Sequence, residues 1–219
     1  MFLEPASPPL PQPHSLSRPQ GAIPDGRQAQ DAHAPAVVAC LSPAVLLAAR
    51  EPTVGLAFWR RPGRAGLRPA IESALALPPF GEVAEGVPDE AAHALLRRMP
   101  VRMRPLRAEL AMLGRLFATL SGEPVVRLRL EHVADDACRQ FHVDSVGLRL
   151  LCTYAGLGTE WIGADGTSRR LSVGDVAVFK GSKFPDSAPR ILHRSPPVEH
   201  LPRWRRSRLL LCIDQPGVF

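Results

Sequence analysis

The chain has 219 residues, of which 45% are hydrophobic and 22% charged; this suffices for one sizeable domain with appendages and falls short of two full domains with tails. No apolar run approaches the roughly 18 residues that span a bilayer. The formal charge of +6 is carried almost wholly by Arg, with Lys180 and Lys183 as the only lysines, so a biased composition accounts for it and a nucleic-acid partner is disfavoured.

The N-terminal stretch has no basic region followed by an apolar one, and its prolines would spoil such a signal; a cytoplasmic protein without a membrane partner is expected. Cys40, Cys138, Cys152 and Cys212 form no CxxC pair, which leaves neither a zinc ribbon nor a thioredoxin-like motif. Disulfides are not expected in a reducing compartment.

Residues 1–34 are rich in Pro, Gln and Ser and bury too little apolar surface to offset their ordering entropy, so a disordered tail is expected there. Residues 35–219 then form a single domain. Its first part, 35–122, reads as mainly helical support with one short strand. Ala36 to Ala49 fits a strand and then a helix capped by Ser42 with Pro43 in the first turn. The short strand is Val54 to Trp59. Helices are expected over Leu67–Leu77, Asp89–Arg98 and Pro105–Leu120, the last from Leu106, Leu110, Leu113, Phe117 and Leu120 at helical spacing with Gly122 as a stop.

The character changes at about Glu123. Val125 to His132 alternates, with Leu128, Leu130 and His132 on one face and Arg127, Arg129 and Glu131 on the other. His132 therefore reads as a hydrogen-bonded core histidine. Further strands are expected at Arg139–Asp144, Leu148–Tyr154, Asp175–Lys180, Arg190–His193 and Ser207–Asp214, punctuated by glycines. Many short strands at close spacing point to a sandwich or barrel over residues 123–214.

Within that region, His142 and Asp144 share one face if their strand is extended, about 7 Å apart. His193 lies 51 residues later on another expected strand. Two His and one carboxylate on one side of an ion leave positions open, the arrangement of non-haem Fe(II) oxygenases. Alternatively, His142 and Asp144 form a simple pair in which the carboxylate fixes the imidazole tautomer. A dicarboxylate co-substrate such as 2-oxoglutarate needs a bidentate cation for its far end. Arg208, 15 residues after His193, is the first candidate, with Arg203, Arg205 and Arg206 as alternatives; Arg149 is a second, and Tyr154 offers a hydroxyl. Cys138 is a possible extra ligand that would favour zinc.

The segments "CRQFHVDSVGLRLLCTYAGLGTEW", "GDVAVFKG", "LHRSPP" and "RLLLCID", together with "VGLAFWRR", resemble the bacterial family of domain of unknown function 1826 (DUF1826), over about Ala36 to Asp214. One departure is Leu157, where the family is expected to have Pro. The resemblance implies similarity to 2-oxoglutarate/Fe(II) oxygenases. The expected fold is then α+β, a double-stranded β-helix (a jelly-roll or cupin-like barrel) in the C-terminal half buttressed by N-terminal helices. It also implies Fe(II) on His142, Asp144 and His193, 2-oxoglutarate on Arg208, and a small-molecule or protein substrate of unknown identity. The alternative is a non-catalytic zinc-binding barrel of metal homeostasis, with Cys138 and Cys152 completing the site.

Overall fold

Val126–Val133 (β4) alternates buried and half-buried residues along its whole length, and the sheet built around it divides the molecule into two sides. The computed structural model describes residues 36–62, 65–136, 138–185 and 190–217; the tail expected to be disordered lies outside them. Six further strands join β4: Ala36–Cys40 (β1), Val54–Trp59 (β2), Phe80–Gly86 (β3), Leu148–Ala155 (β5), Val176–Lys180 (β8) and Arg208–Asp214 (β10). They form a seven-stranded sheet in the order β1-β2-β8-β5-β10-β4-β3. Only the β1–β2 pair is parallel. Glu160–Ile162 (β6), Ser168–Arg170 (β7) and His193–Arg194 (β9) make a second sheet in the order β7-β6-β9.

One face of the large sheet carries Leu128, Leu130, Leu150, Val178, Leu211 and Ile213 into a core shared with the helices Arg68–Leu75 (α1), Pro88–Arg97 (α2) and Leu106–Ser121 (α3). α3 buries Leu106, Leu110, Leu113, Phe117 and Leu120 as its periodicity predicts, and ends at Gly122 in the left-handed conformation. The other face carries Leu56, Leu151, Phe179, Leu210 and Cys212 against Trp161, Leu171 and Ile191 from around the small sheet. The result is an α+β arrangement of helices, large sheet and small sheet in layers.

Three expectations change. The large sheet ends in open edges at β1 and β3 and does not close into a barrel. Residues 35–122 contribute one strand more than the two expected at β1 and β2, because Phe80–Gly86 pairs along its whole length with β4. The expected strand at Arg139–Asp144 reduces to a single bridge between His142 and His193, and of Arg190–His193 only His193 lies in a strand, β9. Cys138, just upstream of that bridge, has φ 56°, which an extended strand does not accommodate.

The "VGLAFWRR" segment ends in a buried arginine that ties the layers together. Arg61 donates to Glu109 on α3 at 2.5 Å and to the Gly174 carbonyl at 2.6 Å, and lies over the Trp59 ring. Side-chain exposure of this ion pair is only 4% and 1%. Removing one partner leaves the other charge in a dry site, so Glu109→Ala is expected to destabilise the fold by about 3–5 kcal/mol. Urea unfolding monitored by circular dichroism measures it; a loss below about 1 kcal/mol would show the pair to be dispensable.

Candidate metal centre

The site is built by backbone pairing before any side chain is considered. His142 and His193 exchange N–H···O bonds in both directions at 3.0 Å, an antiparallel pair that holds the two side chains side by side. Their rings lie 4.9 Å apart, and the His193 ring packs on Phe179 of β8 at 4.3 Å.

Asp144 is held from behind. Its carbonyl accepts from the Ser182 N–H at 2.8 Å, and the Gly181 and Lys183 N–H groups bond the Gly147 and Val146 carbonyls. A Cβ at Gly181 would come 2.2 Å from the Val146 oxygen and 2.8 Å from the Asp144 oxygen, so the glycine that closes "GDVAVFKG" is there for close backbone approach.

One ligand atom from each of His142, Asp144 and His193 lies within 4.8 Å of the others. His193 Nε2 is 2.9 Å from Asp144 Oδ2, and His142 Nε2 is 3.4 Å from Oδ1. On the far side of each ring, Nδ1 faces a carbonyl two residues back: Gln140 at 2.8 Å for His142 and Ile191 at 3.4 Å for His193. A carbonyl accepts only from a protonated Nδ1, which turns the Nε2 position of both rings toward Asp144; metal-bound histidines are commonly oriented this way. Burial pushes the Asp144 carboxyl up, but the hydrogen bond and charge of His193, with the charges of Arg149 and His142, outweigh it and hold it below the usual carboxylate range. Asp144 and His193 are buried, whereas the His142 side chain is 37% exposed and forms the open side of the site.

Arg208 opens β10 on the same sheet face. It is 3% exposed and donates to Ser195 Oγ at 2.8 Å, Thr159 Oγ1 at 3.2 Å and Thr153 Oγ1 at 3.4 Å. Its Nε has no partner. Arg170 and Arg194 nearby both hold Glu160, and Arg149 holds two aspartates; no carboxylate among the described residues pairs with Arg208. Burial accordingly pushes its pKa down to about 10. Ser195 and Thr159 line a cleft of about 130 Å³ together with His142, Asp144, His193 and Leu210, so the unmatched cation backs the cleft that holds the triad.

The other expected site residues fall elsewhere. Tyr154 points into the helix-side core with its hydroxyl unpartnered, because β5 alternates and places Arg149, Leu151 and Thr153 on the site face instead. Arg149 reaches the site, yet all three of its nitrogens are taken by Asp144 and Asp214, so it is not available to a co-substrate. Cys138 is exposed at the cleft rim and outside the triad. Cys152 is buried on the helix side. Arg206 is engaged by the Leu201 and Glu199 carbonyls. His132 is in the core as expected, edge-on to Phe80, but neither ring nitrogen has a hydrogen-bond partner. Sequence reasoning missed Thr153, Thr159, Ser195 and Asp214. Thr153 and Asp214 were readable as polar residues on the Arg149 and Arg208 parity of two apolar strands.

A family model, described as a protein of unknown function (DUF1826), matches residues 41–214. The chain belongs to the DUF1826 family. No curated protein matches it. Among solved structures, this DUF1826 protein is similar to a full-length Neurospora crassa protein in complex with alpha-KG and 5-formyluracil, at 12% identity and TM-score 0.50 over 86% of each chain. It also matches a Pseudomonas putida prolyl-4-hydroxylase, at 14% identity and TM-score 0.49 over 80% of this chain and 98% of that one. A candidate oxygenase from Shewanella oneidensis matches at 14% identity and TM-score 0.47, over 84% and 91%. At these identities the likeness concerns the fold. No helix among the described residues is long and apolar enough to cross a membrane.

Two outcomes follow from the geometry. Gly181→Ala is expected to push the Asp144 backbone aside and weaken divalent-metal binding at least tenfold by isothermal titration; unchanged affinity would mean that the turn does not position Asp144. Arg208→Met is expected to stabilise the unliganded protein by about 1–3 kcal/mol in urea unfolding, because it removes a buried charge with no counter-charge. A loss of stability would show that its hydroxyl contacts suffice to hold the cation.

Proposed function

We propose that this DUF1826 protein is an Fe(II)- and 2-oxoglutarate-dependent oxygenase built on a double-stranded β-helix. The donor set fits the metal: His142, His193 and one oxygen of Asp144 form the two-histidine, one-carboxylate face that suits non-haem Fe(II) and leaves positions for other ligands. The co-substrate fits the rest of the cleft. The far carboxylate of 2-oxoglutarate would pair with Arg208, with Thr159 and Ser195 beside it, while its other end lies at the metal. Bound iron and 2-oxoglutarate would together supply the O₂-dependent oxidation, which is the cofactor's chemistry.

The chain's own residues then bind and orient. Phe179 fixes the His193 ring, and Leu151 and Leu210 line the cleft as apolar walls. The half-exposed His142 marks the side from which a substrate, small molecule or protein, approaches. The single observation that carries the oxygenase reading over simple metal storage is Arg208, a buried guanidinium with no carboxylate partner among the described residues, joined to the cleft wall through Ser195 and Thr159. A storage site for zinc has no use for it. The thiols expected to complete a zinc site, Cys138 and Cys152, lie outside the triad. The likeness to the Neurospora crassa protein solved with alpha-KG supports the same reading. A reducing, cytoplasmic setting belongs to the same proposal.

The test is an anaerobic titration of the purified protein with Fe(II) and 2-oxoglutarate, read by the visible metal-to-ligand charge-transfer band. A saturable band is expected, absent in Asp144→Ala and requiring much more 2-oxoglutarate in Arg208→Met. No band, with tight zinc binding in its place, would overturn the proposal.

A further inference from the structure

Arg149 is the residue that joins the candidate metal centre to the sheet. Its Nη1 donates to Asp144 Oδ1 at 2.5 Å, while Nε and Nη2 grip both oxygens of Asp214 at 2.7 and 2.8 Å. Asp214 ends β10 with its side chain 1% exposed. The strand register sets Asp214 directly between Arg149 on β5 and Arg127 on β4, and Arg127 in turn beside Glu85 on β3. Arg127 and Glu85 are themselves an ion pair at 3.2 Å. A row of alternating charge therefore crosses four strands and ends on the carboxylate of Asp144.

The two oxygens of Asp144 are consequently not equivalent. Oδ2 faces His193 Nε2, whereas Oδ1 is committed to a guanidinium that a bidentate aspartate holds in place. We propose that Arg149, fixed by Asp214, is a positioning residue that limits Asp144 to one metal-binding oxygen and so keeps a coordination position open. The inference rests on the metal site proposed above. A carboxylate without this restraint can rotate and chelate with both oxygens, taking up a position that a co-substrate or O₂ needs. Lys at 149 would not substitute, because a single ammonium cannot replace a planar fork spanning two carboxylates.

Charge alone cannot explain such a role if it persists when the net charge is held constant. The double variant Arg149→Met/Asp214→Asn removes one positive and one negative charge together, and replacement of a buried pair by neutral groups is often well tolerated. The probe is Co(II) alone, added to the metal-free protein, with affinity measured by titration and coordination read from the visible ligand-field bands. Removing an outer-shell partner of a metal ligand typically weakens affinity 10–100-fold. The double variant is expected to lose about that much and to show an altered Co(II) spectrum, with Arg149→Lys failing to restore the wild-type bands. Wild-type affinity and an identical spectrum in the double variant would overturn the inference and leave the metal site standing. Should the double variant not fold, Arg149→Lys decides alone: native bands overturn the inference and altered bands support it. If the unmodified protein takes up no Co(II), or Asp144→Ala binds it equally well, the metal site itself fails and the inference with it.

Discussion

Asp144 carries a carboxylate into a cleft where only 9% of the residue meets solvent, and three nitrogen-bearing side chains converge on it. His193 and His142 approach its two oxygens from the small-sheet side, and Arg149 approaches from the large sheet. A buried carboxylate is stable only with such partners, and each partner arrives on a different element. β5 brings Arg149, β9 brings His193, the isolated bridge brings His142, and the turn at Gly181–Lys183 fixes the backbone beneath. The packing of small sheet against large sheet can be read as the requirement of assembling this one group, with Phe179 under His193 as the apolar contact between them.

Arg208 presents the opposite condition. Asp144 has partners in excess, while Arg208 has three hydroxyls and no counter-charge among the described residues. Burial without a carboxylate costs stability, and proteins tolerate such costs mainly where function requires them. In the proposed reading the two groups are complementary: a metal-binding face in the cleft, and a cation behind its Thr159 and Ser195 wall that would take the co-substrate's far carboxylate. Neither feature alone would separate the proposed oxygenase from a structural ion-pair network; their presence on one sheet face is what supports the proposal.

Much of this was legible in the sequence, for identifiable reasons. The strict alternation of Val125 to His132 and the apolar spacing of Leu106 to Leu120 set the main strand and the main helix, because burial on one face imposes a period. His142 and Asp144 were brought together with His193, although through a single bridge and not the full strand that had been expected. Phe80–Gly86 was missed because its glycines and glutamates give no β signal; its pairing with β4 is a tertiary effect. Tyr154 offers a hydroxyl, but its parity is opposite to that of Arg149 and places it in the helix-side core. Asp214 is readable as a polar residue on the Arg208 parity, but nothing in the sequence reveals that Arg149, 65 residues earlier, pairs with it across the sheet.

The most direct test is a crystal structure of the protein grown without oxygen in the presence of Mn(II) and 2-oxoglutarate, with anomalous scattering used to locate the metal. The account predicts one ion held by Nε2 of His142, Nε2 of His193 and a single oxygen of Asp144, with 2-oxoglutarate reaching from it to the guanidinium of Arg208. A metal bound elsewhere, or a co-substrate that leaves Arg208 without its carboxylate, would contradict it.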